Sequence, residues 1–233
     1  MIVITGDTHG VINRLGKPLK RKAKLNPNIV IVLGDFGFPW EYPYSNTDKY
    51  WLTWLDKKPF TTLVVPGNHD NWDSVDKADQ TTLFGGMVSK ISESLYFLHT
   101  GQSYVIEGKE YFVFGGAKTT DMERRIKGKT WWPQEVPSQQ VFQNSVNRSQ
   151  KKNSFDYVLS HTAPTKIVQQ ILEDHPDRFP KERIEDPVCK MLDYFSEHLS
   201  FQTWFFGHFH LNQKFCLDDS EYQCVYYSFV KID

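Results

Sequence analysis

Five short apolar runs in this chain each end in a cluster of Asp, Asn or His, and that repetition limits the folds open to it. Ile2-Val3-Ile4 leads into Asp7-Thr8-His9, Ile29-Val30-Ile31-Val32-Leu33 into Gly34-Asp35, and Leu63-Val64-Val65 into Gly67-Asn68-His69-Asp70. Phe155-Asp156-Tyr157-Val158-Leu159 leads into Ser160-His161, and Thr203-Trp204-Phe205-Phe206 into Gly207-His208-Phe209-His210. Runs rich in β-branched and aromatic residues read as strands. In an α/β sheet, ligands and chemistry gather at the carboxyl ends of the strands. Gly, Asp and Asn also favour ordinary turns, which would account for any one cluster. It accounts poorly for all five, because five of the eight histidines then fall on strand ends by chance.

Strands and helices alternate up to about residue 80, as βαβ units do. A first helix is expected within 11–25. A second, over 47–57, places Tyr50, Trp51, Trp54 and Leu55 at helical spacing as a core stripe. Another begins around Asn71-Trp72-Asp73, and Asp70 could be its cap. Residues 94–116 read as a pair of strands with a turn at Glu107-Gly108-Lys109. Helices are expected over 138–152, 164–173 and 185–199, the last with Val188, Met191, Leu192 and Phe195 on one face. The run Cys224 to Val230 reads as strand. Periodicity alone supports an α/β or α+β class, and 233 residues fit one domain with one main core, spanning 1–233.

Composition closes several function classes. A net charge of −1 gives no basic field for nucleic acid. Lys17, Lys20, Arg21, Lys22 and Lys24 cluster locally and read as a solvated helix face. No apolar run approaches the roughly 20 residues of a membrane span, and strand-like residues begin at Ile2 without a secretory signal. Cys189, Cys216 and Cys224 are odd in number and lack Cys-x-x-Cys spacing, which fits a reduced cytoplasm and no zinc-thiolate site.

The ordered set Asp-x-His, Gly-Asp, Gly-Asn-His-Asp, a lone His and Gly-His-x-His resembles the calcineurin-like metallophosphoesterases. It runs from residue 5 to residue 210, nearly the whole chain. The resemblance implies an α/β (α+β) fold, a four-layer αββα sandwich of two mixed β-sheets flanked by helices. It also implies a dinuclear metal centre that hydrolyses phosphomonoesters or phosphodiesters by attack of a metal-bridging hydroxide. Asp7, His9, Asp35, Asn68, His161, His208 and His210 make seven ligands, too many for one tetrahedral ion. Their imidazole, carboxylate and amide donors, with no thiolate, suit borderline divalent ions better than Ca or Mg. Manganese is expected first, with iron, zinc, cobalt or nickel as substitutes. By resemblance Asp35 bridges two ions, Asp7, His9 and His210 complete one site, and Asn68, His161 and His208 the other. His69 is then the general acid or transition-state stabiliser near the leaving group, and Asp70 hydrogen-bonds its imidazole and favours its protonated form.

The chain departs from the protein phosphatases of that family. Phe38 and Pro39 stand where their second motif has Asp and Arg, and Pro66 stands where an Arg precedes Gly-Asn-His. Losing those arginines removes bidentate recognition of a phosphate dianion. Lys118, Arg124 or Arg125, past the strand-like Tyr111-Phe112-Val113-Phe114, could replace them, although a solvated basic loop is the plainer reading of each. Two aromatic segments, Phe36 to Tyr44 and Thr119 to Pro137, look like insertions over the site that could stack a base or sugar. Satellite packing explains them equally well. The expected substrate is a small-molecule or nucleotide phosphoester. The rival readings are a catalytically silent scaffold on this fold and a nuclease using the same chemistry.

Overall fold

Alternate residues of the apolar runs face opposite ways, and both faces are buried. Ile2 and Ile4 of β1 (Ile2–Thr5) pack on one side and Val3 on the other. Strands covered on both faces read as continuous apolar runs, which is why they are visible in the sequence. The structure, a computed structural model, describes residues 1–179 and 181–232.

β1 is followed by β2 (Ile29–Val32), α1 (Asn46–Asp56), β3 (Thr61–Val64) and α2 (Trp72–Lys77). Next come β4 (Asp79–Leu83), β5 (Gly86–Lys90), β6 (Leu95–Leu98), β7 (Gln102–Ile106) and β8 (Lys109–Phe114). α3 (Gln139–Lys151), β9 (Tyr157–Ser160), α4 (Thr165–Asp174), α5 (Pro187–His198) and β10 (Thr203–Phe206) follow. β11 (Gln213–Leu217), β12 (Ser220–Cys224) and β13 (Val230–Ile232) end the order.

The strands form two mixed sheets. The first has the order β13-β1-β2-β3-β6-β5-β4, with β1, β2, β3 and β6 parallel and antiparallel strands at both edges. The second has the order β11-β12-β10-β9-β8-β7, with β12, β10, β9 and β8 parallel. The sheets pack face to face through Ile4, Ile31 and Leu63 on one side and Tyr111, Val113, Leu159 and Phe205 on the other. Outside the first sheet, Val3, Val30 and Val64 meet Leu52 and Leu55 of α1 and Val75 of α2. Outside the second, Phe112, Val158, Trp204 and Phe206 meet Val168 and Ile171 of α4 and Val188, Leu192 and Phe195 of α5. This is the αββα sandwich that the family resemblance implies.

Four local expectations change. The helix expected within 11–25 is a 3-10 turn, Ile12–Leu15, and a five-residue turn, Pro18–Lys22. Pro18 has no N–H to continue a helix from Arg14, so it starts a new turn instead. Residues 94–116 hold three strands, and β4 and β5 form an unexpected hairpin before them. β4 is polar and largely exposed, so it carries no apolar signal. The run Cys224 to Val230 is not one strand, because the chain leaves the second sheet at Cys224 and joins the first at Val230. On α1 the core residues are Leu52 and Leu55, while Tyr50 is exposed and Trp51 and Trp54 are half-buried.

Candidate metal and phosphate site

The carboxyl ends of β1, β2, β3, β9 and β10 converge, and each delivers its polar cluster to one cleft. The strand ends are tied across one another: His9 N–H donates to Asp35 O at 2.8 Å and Gly207 N–H to His161 O at 2.9 Å. Five of the seven expected ligands, Asp7, His9, Asp35, His208 and His210, have left-handed backbones, with φ from 37° to 65°. Such conformations cost about 1–3 kcal/mol each in non-glycine residues and persist where the surroundings enforce them, typically at functional sites. Gly34, at φ 82°, has no alternative: a Cβ there would collide with the His161 ring.

The donors sort into two groups. Ligand atoms of Asp7, His9 and His210 lie within 4.8 Å of one another, and so do those of Asp35, His161 and His208. Asp35 reaches both: Oδ2 is 3.9 Å from His9 Nε2 and Oδ1 is 3.2 Å from His161 Nε2. His161 donates Nδ1–H to Leu33 O at 2.8 Å, which turns Nε2 toward Asp35 and toward Asn68 Oδ1 at 3.0 Å. That backbone bond fixes the tautomer, as it does in metal-ligating histidines. His208 presents Nδ1 to His161 Nε2 at 3.2 Å. The Nε2 atoms of His9 and His210 face each other at 2.8 Å, and His210 stacks on Tyr226. Nitrogen and oxygen donors gathered this closely, on both sides of one carboxylate, fit a pair of divalent cations.

Charge follows the same arrangement. Burial raises the Asp7 carboxyl well above its usual range, and neighbouring Asp35 adds to this against the pull of His161. Burial would raise Asp35 too, but His161 and His69 hold it well below the usual range. His161 is pushed up to about 9: burial opposes the charge, and Asp35 and Asp7 overcome it. Burial keeps His208 well below its ordinary value, with Arg183 adding to the effect. Burial takes His210 down to about 4, helped by His9.

His69 lines the cleft without joining either ligand group. Its backbone N–H donates to Asp35 Oδ1 at 2.8 Å, and burial lowers the pKa of its ring. Asp70 sits differently from the expectation. Its carboxylate oxygens accept from Gly67 N–H at 2.7 Å and Gly37 N–H at 2.8 Å, so it braces the loop rather than the imidazole. Nor does it cap α2, because Asn71 does that by accepting from Ser74 N–H. Burial, then Asp35, raises Asp70 to about 7.

Of the three candidate cations, Lys118 lines the cleft. Arg125 is paired with Asp121 at 2.6 Å, and Arg124 lies exposed on the 3-10 turn Met122–Arg124. Of the aromatic segments, Phe36 and Phe38 are core, while Trp40 and Tyr42 are exposed. Sequence reasoning missed three supports. Arg14, nearly fully buried, donates to Asp7 O, Gly6 O, Thr5 Oγ1 and Tyr226 O, and so binds the Asp7 loop to the loop carrying Tyr226. Glu135 holds Thr119, which accepts from Asn68 Nδ2 at 3.1 Å and so aims Asn68 Oδ1 at the site. Arg183 enters the cleft from the 3-10 segment Lys181–Glu185. Glu135 and Arg183 lie far in sequence from the motifs they serve, and Arg14, close to Asp7, reaches a distant partner in Tyr226.

A two-sheet sandwich with paired donor groups at its parallel strand ends defines a metallophosphoesterase-type fold. The family model for calcineurin-like phosphoesterase matches residues 1–212, and the chain belongs to that family. A search of curated protein sequences gave no match. Among solved structures, TT1561 of Thermus thermophilus is similar, with TM-score 0.53 and 14% identity over 97% of this chain and 89% of that one. Phosphopantetheinyl hydrolase from Mycobacterium tuberculosis gives TM-score 0.49 and 13% identity over 97% of this chain and 89% of that one. At such identities the likeness concerns the fold. No helix among the described residues is long and apolar enough to cross a membrane.

Proposed function

We propose that this chain is a metal-dependent phosphoric-ester hydrolase acting on a small-molecule or nucleotide phosphoester. The observation that carries the reading is Asp35, whose two oxygens face the two separate donor groups. Asp7, His9 and His210 would hold one divalent ion and Asn68, His161 and His208 the other, with Asp35 shared. Manganese suits these donors, as do iron, zinc, cobalt and nickel. When bound, such a pair supplies a nucleophile from water near neutral pH and offsets the charge that builds on the phosphoryl group.

The chain's own residues do the rest. Arg14, the Leu33 carbonyl and the Thr119–Glu135 pair hold the ligands in place before substrate arrives. His69, beside the cluster and outside both groups, meets the leaving oxygen and assists its departure. Asp70 fixes the loop that carries His69 by bracing Gly67 and Gly37. The cleft is small, about 70 Å³. The phosphoryl group therefore enters the cleft and the remainder of the substrate lies outside, toward exposed Trp40, whose ring lies against Gly10 beside His9. Cys189, Cys216 and Cys224 are all free, which fits a reducing cytoplasm.

The test is hydrolysis of p-nitrophenyl phosphate and bis-p-nitrophenyl phosphate with Mn²⁺ and with chelator. Mn²⁺-dependent turnover of either supports the reading. Two ions bound with neither ester cleaved would turn the assignment toward a silent scaffold. Binding to DNA with a steep salt dependence would revive the nuclease.

A further inference from the structure

One part of the cleft wall comes from segments that none of the ligand motifs includes. Lys118 follows β8, and Arg183 lies on the 3-10 segment Lys181–Glu185 just before α5. One buried carboxylate organises this wall: Asp186 Oδ2 accepts from Lys118 N–H and Oδ1 from Val188 N–H, each at 2.8 Å. Arg183 is half-buried, with its guanidinium 5.6 Å from the Phe179 ring centroid and 5.5 Å from that of Phe209. Its Nη1 donates to His208 Nε2, and its Nε is buried without a partner. A buried donor left unpaired is costly. A guanidinium fork that lines a cleft matches the oxygens of a phosphoryl group.

We propose that Arg183, with Lys118 beside it, grips the non-bridging oxygens of the substrate's phosphoryl group and makes phosphomonoester dianions better substrates than diesters. This rests on the phosphoesterase reading above. Two cations on one wall favour a group that carries two negative charges over one that carries one, and an esterified oxygen is lost to the fork. The present partner of Arg183 yields when the site fills. His208 turns Nδ1 to the inner ligand group and Nε2 to Arg183. Were His208 to hold a cation through Nδ1, its Nε2 would carry the proton and would no longer accept from Arg183, leaving that N–H for an oxygen in the cleft.

This gives Arg183 a signature of two opposite signs. Removing it weakens phosphate and, by deleting a positive charge beside the inner group, leaves metal affinity equal or tighter. The measurement is calorimetric titration of Mn²⁺ into the metal-free chain and of inorganic phosphate into the Mn²⁺-loaded chain, for wild type, Arg183→Met, Arg183→Lys and Lys118→Met. Arg183→Met is expected to weaken phosphate roughly 10–100-fold, the range for hydrogen bonds to charged groups. Arg183→Lys keeps the charge without the fork and falls between. Lys118→Met has the smaller effect, because Lys118 is more exposed. On turnover, Arg183→Met lowers kcat/KM for the monoester far more than for the diester. Unchanged phosphate affinity in Arg183→Met overturns the proposal. So does a parallel loss of Mn²⁺ and phosphate, which would make Arg183 a prop for His208. A wild type that binds phosphate through Arg183 but cleaves neither ester removes the phosphoesterase reading and leaves the subsite standing.

Discussion

The two ligand groups are chemically alike and physically different. In the outer group, the side chains of His9 and His210 are 34% and 39% exposed. In the inner group, His161 is fully buried and Asp35 is 2% exposed. The outer imidazoles meet edge to face, and His210 leans on an aromatic ring. In the inner group His161 is fixed by a backbone carbonyl and by Asn68, which the Thr119–Glu135 pair holds. Water screens charges more at His9 and His210 than around Asp35 and His161, where the same charges interact more strongly, while Asp7 of the outer group is buried and His208 of the inner group half-buried. A cation should therefore be held tightly and exchange slowly at the inner group, and exchange faster at the outer. Asp35 joins two unequal halves.

The largest effect should come from breaking that joint. Asp35→Asn removes the one carboxylate that faces both groups, so metal content measured after desalting is expected to fall from two ions toward none, with turnover lost. Two ions retained per chain would refute the shared role of Asp35. His69→Ala probes the opposite property. Turnover is expected to fall about 10²–10⁴-fold, the usual worth of general acid–base catalysis, with both ions still bound. Full activity in that variant would remove His69 from the mechanism.

Separating the halves is the next step. His161→Ala should abolish the slow-exchanging ion, and His210→Ala should weaken the fast-exchanging one while leaving the other in place. Because the ions bind the folded chain, Mn²⁺ at 100 times its dissociation constant should add about 2.7 kcal/mol of stability per occupied site. Thermal unfolding with Mn²⁺ and with chelator would read this. His161→Ala should lose more of that increment than His210→Ala, and equal losses would erase the distinction between inner and outer.

What the sequence made legible follows the same division between local and distant causes. Every ligand candidate was visible because each strand end is encoded within a few residues: a β-branched or aromatic run, then a glycine or a short polar group. The buried face of α5 was visible for the same reason, as 3.6-residue spacing. What escaped depends on contacts between distant segments. Nothing around Arg14 says that it will bond to Tyr226 O, 212 residues away. Glu135 and Arg183 reach the site on irregular loops whose course is set by the core beneath them. Asp70 was read through its neighbour His69, yet one of its two partners is Gly37, 33 residues earlier. β4 escaped because an exposed edge strand need not be apolar.

Tyr226 offers the smallest and most discriminating test, because it touches one half alone. Its ring stacks on His210 with centroids 4.4 Å apart and planes within 12°. Aromatic pairs contribute about 0.5–1.5 kcal/mol beyond area burial. Tyr226→Leu removes the ring but keeps the backbone carbonyl that Arg14 and Gly6 bind, so the loop stays in place. The outer ion is then expected to bind about 2–10-fold more weakly, through a His210 ring free to turn. The inner ion, supported by Leu33 and Asn68 and out of reach of Tyr226, should keep its affinity. Calorimetric titration resolving two binding events would separate these effects. A variant in which both events weaken together would mean that the halves are coupled through Asp35 more tightly than their different surroundings imply, and the picture of one firm and one loose ion would have to be given up.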